Sequence, residues 1–213
     1  KIEIKQATPL QLSKMKTRNS IAYKKLIFEF ISISFAVFLG LMLNQWKENH
    51  NNKILVRQSL ENISIEIEKN SSRVQEMLDS HKLLLSKVDN LLANIDKGTI
   101  PSDNLGELSF QLISSTAWET AKLTQSIAHM DIGIVSEIAG IYEYQHYYSS
   151  VVKQQVMSDK FQKSFSSIKD IKENKDYFME LRDFLQKKII ASESDLLEYY
   201  NKLQEDISNY TKG

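Results

Sequence analysis

The chain has 213 residues, no cysteine, two prolines (Pro9, Pro101) and six glycines, with a formal net charge of zero. So few backbone breakers argue against a turn-rich β architecture and favour long helices. The neutral total hides an uneven distribution: residues 1–25 carry seven Lys/Arg and one acid, Glu3, whereas 47–213 carries twenty basic and twenty-five acidic residues, a net of −5.

Residues 1–19 read as a polar, basic tail with a short helical turn after Pro9. The cluster Lys14, Lys16, Arg18, Lys24 and Lys25 either sets topology or also touches anionic headgroups. Leu26 to Leu43 is next, an apolar run broken only by Glu29, Ser32 and Ser34. At about 1.5 Å per helical residue it spans about 27 Å, close to one hydrocarbon core. It is longer than the apolar region of a usual signal peptide, and no small-residue cleavage site comes after it. We therefore read residues 26–46 as an uncleaved signal anchor, with a buried helix of a soluble protein as the plainer alternative. Trp46 suits the membrane interface, where its ring faces lipid and its N–H meets water. The basic flank puts 1–25 in the cytoplasm and 47–213 outside it, and zero cysteines are compatible with an extracytoplasmic domain without disulfides.

From Lys47 no Gly or Pro interrupts the chain until Gly98, so the same helix is expected to continue to about Asp96. Val74, Leu78, His81, Leu85, Val88, Leu92 and Ile95 recur in steps of four and three, a heptad seam, with Ile63 and Ile67 on a similar stripe. Such a seam needs partner helices to cover it. Lys97 to Asn104, with Gly98 and Pro101, reads as a loop. A shorter helical region is expected over residues 105–127, with a break or fresh start near Thr116, where Thr116-Ala117-Trp118-Glu119 fits a capping box. Asp131 is a candidate N-cap for a long helix reaching about Ile168. The last helix is expected from about Asp176, with a seam of Phe178, Leu181, Leu185, Ile189, Ser192, Leu196, Tyr199 and Leu203. The expected fold is all-α: a single transmembrane helix continuing into an elongated antiparallel helical bundle.

Within the membrane run, Glu29 either snorkels to the interface or meets a polar group on another subunit. Ser32, Ala36 and Gly40 form a small-residue stripe at i, i+4, i+8 that lets helices approach closely. His81 on the seam reads as a hydrogen-bonded core residue rather than a ligand. The stretch containing Tyr142, Tyr144, His146, Tyr147 and Tyr148 forms either an aromatic layer across the bundle or a ligand or partner surface, together with Trp118. Glu119 lacks a second positioned group for catalysis. No metal-binding, nucleophile-elbow, phosphate-loop or dinucleotide motif occurs, so no cofactor, metal or catalytic residue is expected. The net acidic 47–213 segment argues against nucleic-acid binding.

The join Leu41-x-x-Asn44-x-Trp46-x-Glu48, together with Thr116-Ala117-Trp118-Glu119-Thr120-Ala121 and His129-Met130-Asp131, resembles a group of uncharacterised bacterial single-pass proteins with an anchor and a helical domain of unknown function. The resemblance implies a bacterial inner-membrane protein and carries no activity. The expected role is a non-enzymatic accessory or scaffold subunit, with the lipid bilayer and another membrane subunit or a second copy as partners. A sensor-like ligand-binding bundle is the alternative; an envelope hydrolase has least support.

Overall fold

The computed structural model describes residues 9–97, 108–157 and 168–212; the side chains of 9–22, 96, 155–157 and 168 lie outside the description. Residues 98–104 of the first expected loop lie outside it too, as does the expected continuation of the long helix over 158–167. All secondary structure among the described residues is helical. The chain divides into two units, Lys1–Asn52 and Lys53–Gly213.

Helix α1 runs from Pro9 to Asn94 and closes in a 3-10 turn, Ile95–Lys97. The expected short turn after Pro9 is instead the start of this uninterrupted helix, since no proline or capping signal stops it before Asn94. In the first unit every side chain from Leu26 to Leu43 is exposed. Phe28 and Phe30 are each 72% exposed, although both would be buried in a water-soluble core. The helix is long and apolar enough to cross a membrane. Lys25 Nζ lies 3.9 Å from Glu29 Oε1, one turn away, and Trp46 stacks on His50.

In the second unit, α1 packs with α2 (Thr116–Leu123), α3 (Ile132–Met157) and α6 (Ala191–Lys212) around Leu60, Ile63, Ile67, Val74, Ile138, Leu196 and Leu203. Contacts give the directions. Glu66 meets Tyr142, Asn70 meets Gln145 and Met77 meets Tyr148, so α3 runs parallel to α1. Tyr148 meets Glu193, Gln145 meets Tyr200 and Glu137 meets Lys202, so α6 runs antiparallel to α3. A second apolar cluster joins Leu84, Val88 and Leu91 of α1 to Phe178, Leu181 and Leu185. Helix α4 (Ile168–Glu173) precedes α5 (Lys175–Phe184), and a π-helical turn, Leu185–Ile190, joins α5 to α6.

Three expectations are corrected by this packing. Of the helical region expected over 105–127, residues 108–115 have no regular secondary structure and helix begins at Thr116, while 105–107 lie outside the described residues. Thr116 is the first helical residue, but the expected capping box does not form, and Glu119 pairs with Lys122 at 2.7 Å instead. In the last helix the buried positions are Glu193 and Tyr200 rather than Ser192 and Tyr199. Leu196 and Leu203 keep their expected places; the helix takes steps of four from Ile189 to Glu193 and from Leu196 to Tyr200 where steps of three were expected. Asp131 does cap α3, its Oδ1 accepting the Gly133 N–H at 2.7 Å.

Candidate functional site

The polar interior of the second unit is built around residues 108–115, a strap lying along α1. An extended chain advances about 3.3 Å per residue and a helix about 1.5 Å. The five steps from Ser109 to Ser114 therefore match the eleven from His81 back to Asn70, each about 16 Å. Side chains of α1 meet the strap along this length. His81 Nε2 lies 3.0 Å from the Ser109 carbonyl. The Gln111 N–H donates to Met77 Sδ at 3.0 Å, and its side-chain amide to Glu76 at 2.8 Å. Arg73 donates to the Leu112 carbonyl at 3.1 Å. Asn70 accepts from the Ser114 N–H at 3.0 Å and donates to the Ser114 carbonyl at 2.7 Å. These side chains do for the strap what a neighbouring strand would do in a sheet.

Where the strap becomes α2, Glu66 takes over. Its carboxylate accepts the Ala117 N–H at 3.0 Å, the Ser114 hydroxyl at 2.6 Å and the Tyr142 hydroxyl at 2.7 Å. A carboxylate at a helix N-terminus satisfies orphan N–H groups and meets the positive end of the helix dipole. Glu66, from another helix, thus replaces the local cap. Beside it, Gln145 donates to the Ser114 carbonyl at 2.9 Å and accepts from Tyr200 at 2.7 Å and Asn70 at 3.3 Å.

A second cluster is centred on His81 and Glu193, both with no solvent exposure. His81 Nδ1 lies 2.9 and 3.0 Å from the two Glu193 oxygens, and the Tyr148 hydroxyl donates to Glu193 at 2.6 Å. The Ser109 carbonyl only accepts, so Nε2 carries a proton. The bond between Nδ1 and Glu193 needs a second proton, so the pair is neutral overall. Burial, then the neighbouring carboxylates, push the hydroxyl pKa values of Tyr142 and Tyr148 far above the ordinary tyrosine value. Burial raises that of Tyr200 likewise. All three remain hydrogen-bond donors. Among the described residues, no buried side-chain nitrogen or oxygen lacks a partner.

Between the strap, α2 and α3 lies a cavity of about 820 Å³. Trp118, Tyr142, His146 and Tyr148 line it, with Trp118 stacked on Tyr142 at 5.9 Å and Lys122 over the indole at 5.7 Å. Tyr144 does not line it; its hydroxyl donates to Asp195 at 2.9 Å and its ring meets Tyr199 edge-on. Glu29, Ser32, Ala36, Gly40 and Trp46 are all exposed on α1, and a Cβ added at Gly40 would meet nothing within 4 Å. Among the described residues no cluster of three or more His, Asp or Glu side chains is arranged to hold a metal ion. The sequence reading missed Glu66, Asn70, Ser114, Gln145 and Glu193. A signal did exist: Glu66 and Asn70 are in phase with Ile63, Ile67 and Val74, and Glu193 with Ile189 and Leu196. A polar residue in phase with an apolar seam points to a buried partner.

The architecture places the chain in the all-α class. No protein-family profile, curated protein or solved structure matches it.

Proposed function

We propose that the chain is a membrane-anchored, non-enzymatic accessory or scaffold subunit. In this reading residues 1–25 are cytoplasmic, 26–46 cross a bacterial inner membrane, and 47–213 form an antiparallel helical bundle on the periplasmic side. The observation that carries it is the exposed run from Leu26 to Leu43: a helix of this apolarity requires lipid or another protein around it. Ser32, Ala36 and Gly40 leave one face of that helix open to close approach, and among the described residues Glu29 has only a long local contact to Lys25. The interior carboxylates and the buried histidine are engaged in structural hydrogen bonds, which supports a role without chemistry. Kinship with the single-pass proteins of the Leu41-x-x-Asn44-x-Trp46 type belongs to the same proposal.

Mild-detergent purification from native membranes, followed by mass spectrometry, tests it. A stoichiometric membrane partner or a defined homo-oligomer is expected, and Gly40→Leu should reduce co-isolation several-fold while leaving Tm unchanged. Recovery as a monomer without partners would overturn the subunit reading, and a cytoplasmic carboxyl-terminal reporter fusion would overturn the orientation.

The cavity favours a second reading, a ligand-binding helical module. A ligand screen by thermal stability would then find a compound that raises Tm. Tyr144→Ala should leave that response intact, because Tyr144 lies outside the cavity.

A further inference from the structure

The cavity arises from the strap. A helix packed beside α3 fills a cylinder about 10 Å across. Helix α2 does so over Thr116–Leu123, but over 108–115 an extended segment takes its place. Per unit length it supplies about half as many side chains, from the ratio of 1.5 to 3.3 Å rise. The space left, about 820 Å³, falls within the size range of ligand pockets.

Keeping the strap in place requires burying Glu66, Asn70, His81 and Glu193. Such burial is unfavourable unless every hydrogen bond is made. A full helix with apolar side chains would close the space without any of them. The polar interior therefore holds a groove open, and departures from local rules of this kind concentrate at functional sites.

The lining selects the occupant. The hydroxyls of Tyr142 and Tyr148 turn inward to Glu66 and Glu193, and the Gln145 amide is engaged by the strap and Tyr200. The floor consequently offers ring faces and aliphatic carbon, with Phe110, Ile113 and Val152 beside them. Polar side chains of α3 line the groove at His146, Ser149 and Lys153, at steps of three and four, and carboxylates are present too, Glu143 one turn before His146 and Glu119 beside Lys122. Among the described residues none of His146, Ser149 and Lys153 is engaged in a side-chain hydrogen bond or ion pair. From Ala139 to Lys153 the groove runs along α3 for about 21 Å. An acyl chain covers half of a hydrocarbon core of about 30 Å. We propose that the groove binds a long-chain fatty acid, its chain against the aromatic floor and its carboxylate at Lys153. The charge argument is specific: Lys122 is already paired with Glu119, whereas Lys153 has no carboxylate partner among the described residues. This assignment rests on the ligand-binding reading and is independent of the membrane-helix stripe.

The test uses the full chain in nanodiscs with Trp46→Phe, which leaves Trp118 as the only tryptophan. Palmitate carrying a nitroxide on its chain is titrated against Trp118 fluorescence. Saturable quenching is expected, displaced by unlabelled palmitate but not by lysophosphatidylcholine. It should weaken on the order of tenfold in Lys153→Glu, a surface change that leaves Tm unchanged. Quenching that is non-saturable, or equal in Lys153→Glu, overturns the proposal; displacement by lysophosphatidylcholine overturns the carboxylate assignment. Anilinonaphthalene sulfonate serves as a general probe of the groove. If the dye binds saturably beside Trp118 while palmitate does not displace it, the fatty-acid assignment fails and the ligand-binding reading stands. If neither binds, both fail.

Discussion

Helix α1 contains two stretches that treat polarity in opposite ways. Residues 26–43 are almost wholly apolar and exposed at every position. Residues 56–95 are amphipathic, and bury Glu66, Asn70 and His81 on the same seam as Ile63, Ile67 and Val74. The contrast teaches that burial in this protein is decided by available partners, not by residue type alone. The first stretch finds no partner within the described chain. The second finds a strap whose backbone needs polar partners, and two tyrosines and a histidine able to donate to carboxylates.

If partners decide burial in the second stretch, removing one of a pair should cost far more than removing both. His81→Ala leaves Glu193 buried with only Tyr148, and should destabilise the protein by about 3–5 kcal/mol. The double change His81→Leu with Glu193→Leu should recover much of this. Chemical unfolding in detergent measures both, and a double variant as damaged as the single one would contradict the partner rule. Glu66→Ala orphans the Tyr142, Ser114 and Ala117 donors and should cost about 2–3 kcal/mol. Amide exchange should then quicken first in the opening turn of α2, because the Ala117 N–H is the backbone donor that Glu66 accepts.

Alkaline titration addresses the same interior. Tyr142, Tyr148 and Tyr200 have folded pKa values raised above the ordinary 10.0, first by burial. Raised acids bind more protons in the folded state. Their contribution is therefore complete below pH 10 and is lost as pH rises beyond it. Tyrosinate absorbance should show three of the nine tyrosines ionising only as the fold opens. The smallest effect belongs to the surface: Arg182→Ala removes an exposed ion pair with Asp89 and should leave Tm unchanged within error.

Several features were legible before the structure because they depend on local pattern. The seam through Val74, His81 and Val88 and the Asp131 cap come from spacing or side-chain chemistry; the start at Thr116 falls where expected, but Glu66 and not the local capping box holds it. His81 reads correctly as a hydrogen-bonded core residue. Other features depend on the element packed opposite. Leu84 and Leu91 are more buried than Leu85 and Leu92, because α5 covers that flank of the stripe. Trp118, Tyr142, His146 and Tyr148 share one cavity while Tyr144 turns to α6, a division that helical periodicity alone does not make.

The sequence by itself determined the helical class, the end of α1 near Asn94 and the apolar run, since breaker content, periodicity and hydropathy act over a few neighbouring residues. Only the tertiary structure decided that residues 108–115 of the expected second helix are a strap, that Glu66 caps a helix about fifty residues away, and that Glu193 takes the seam position of Ser192. Each of these joins residues distant in the chain, and the free energy of an extended segment or a buried carboxylate depends on partners that only the folded arrangement supplies.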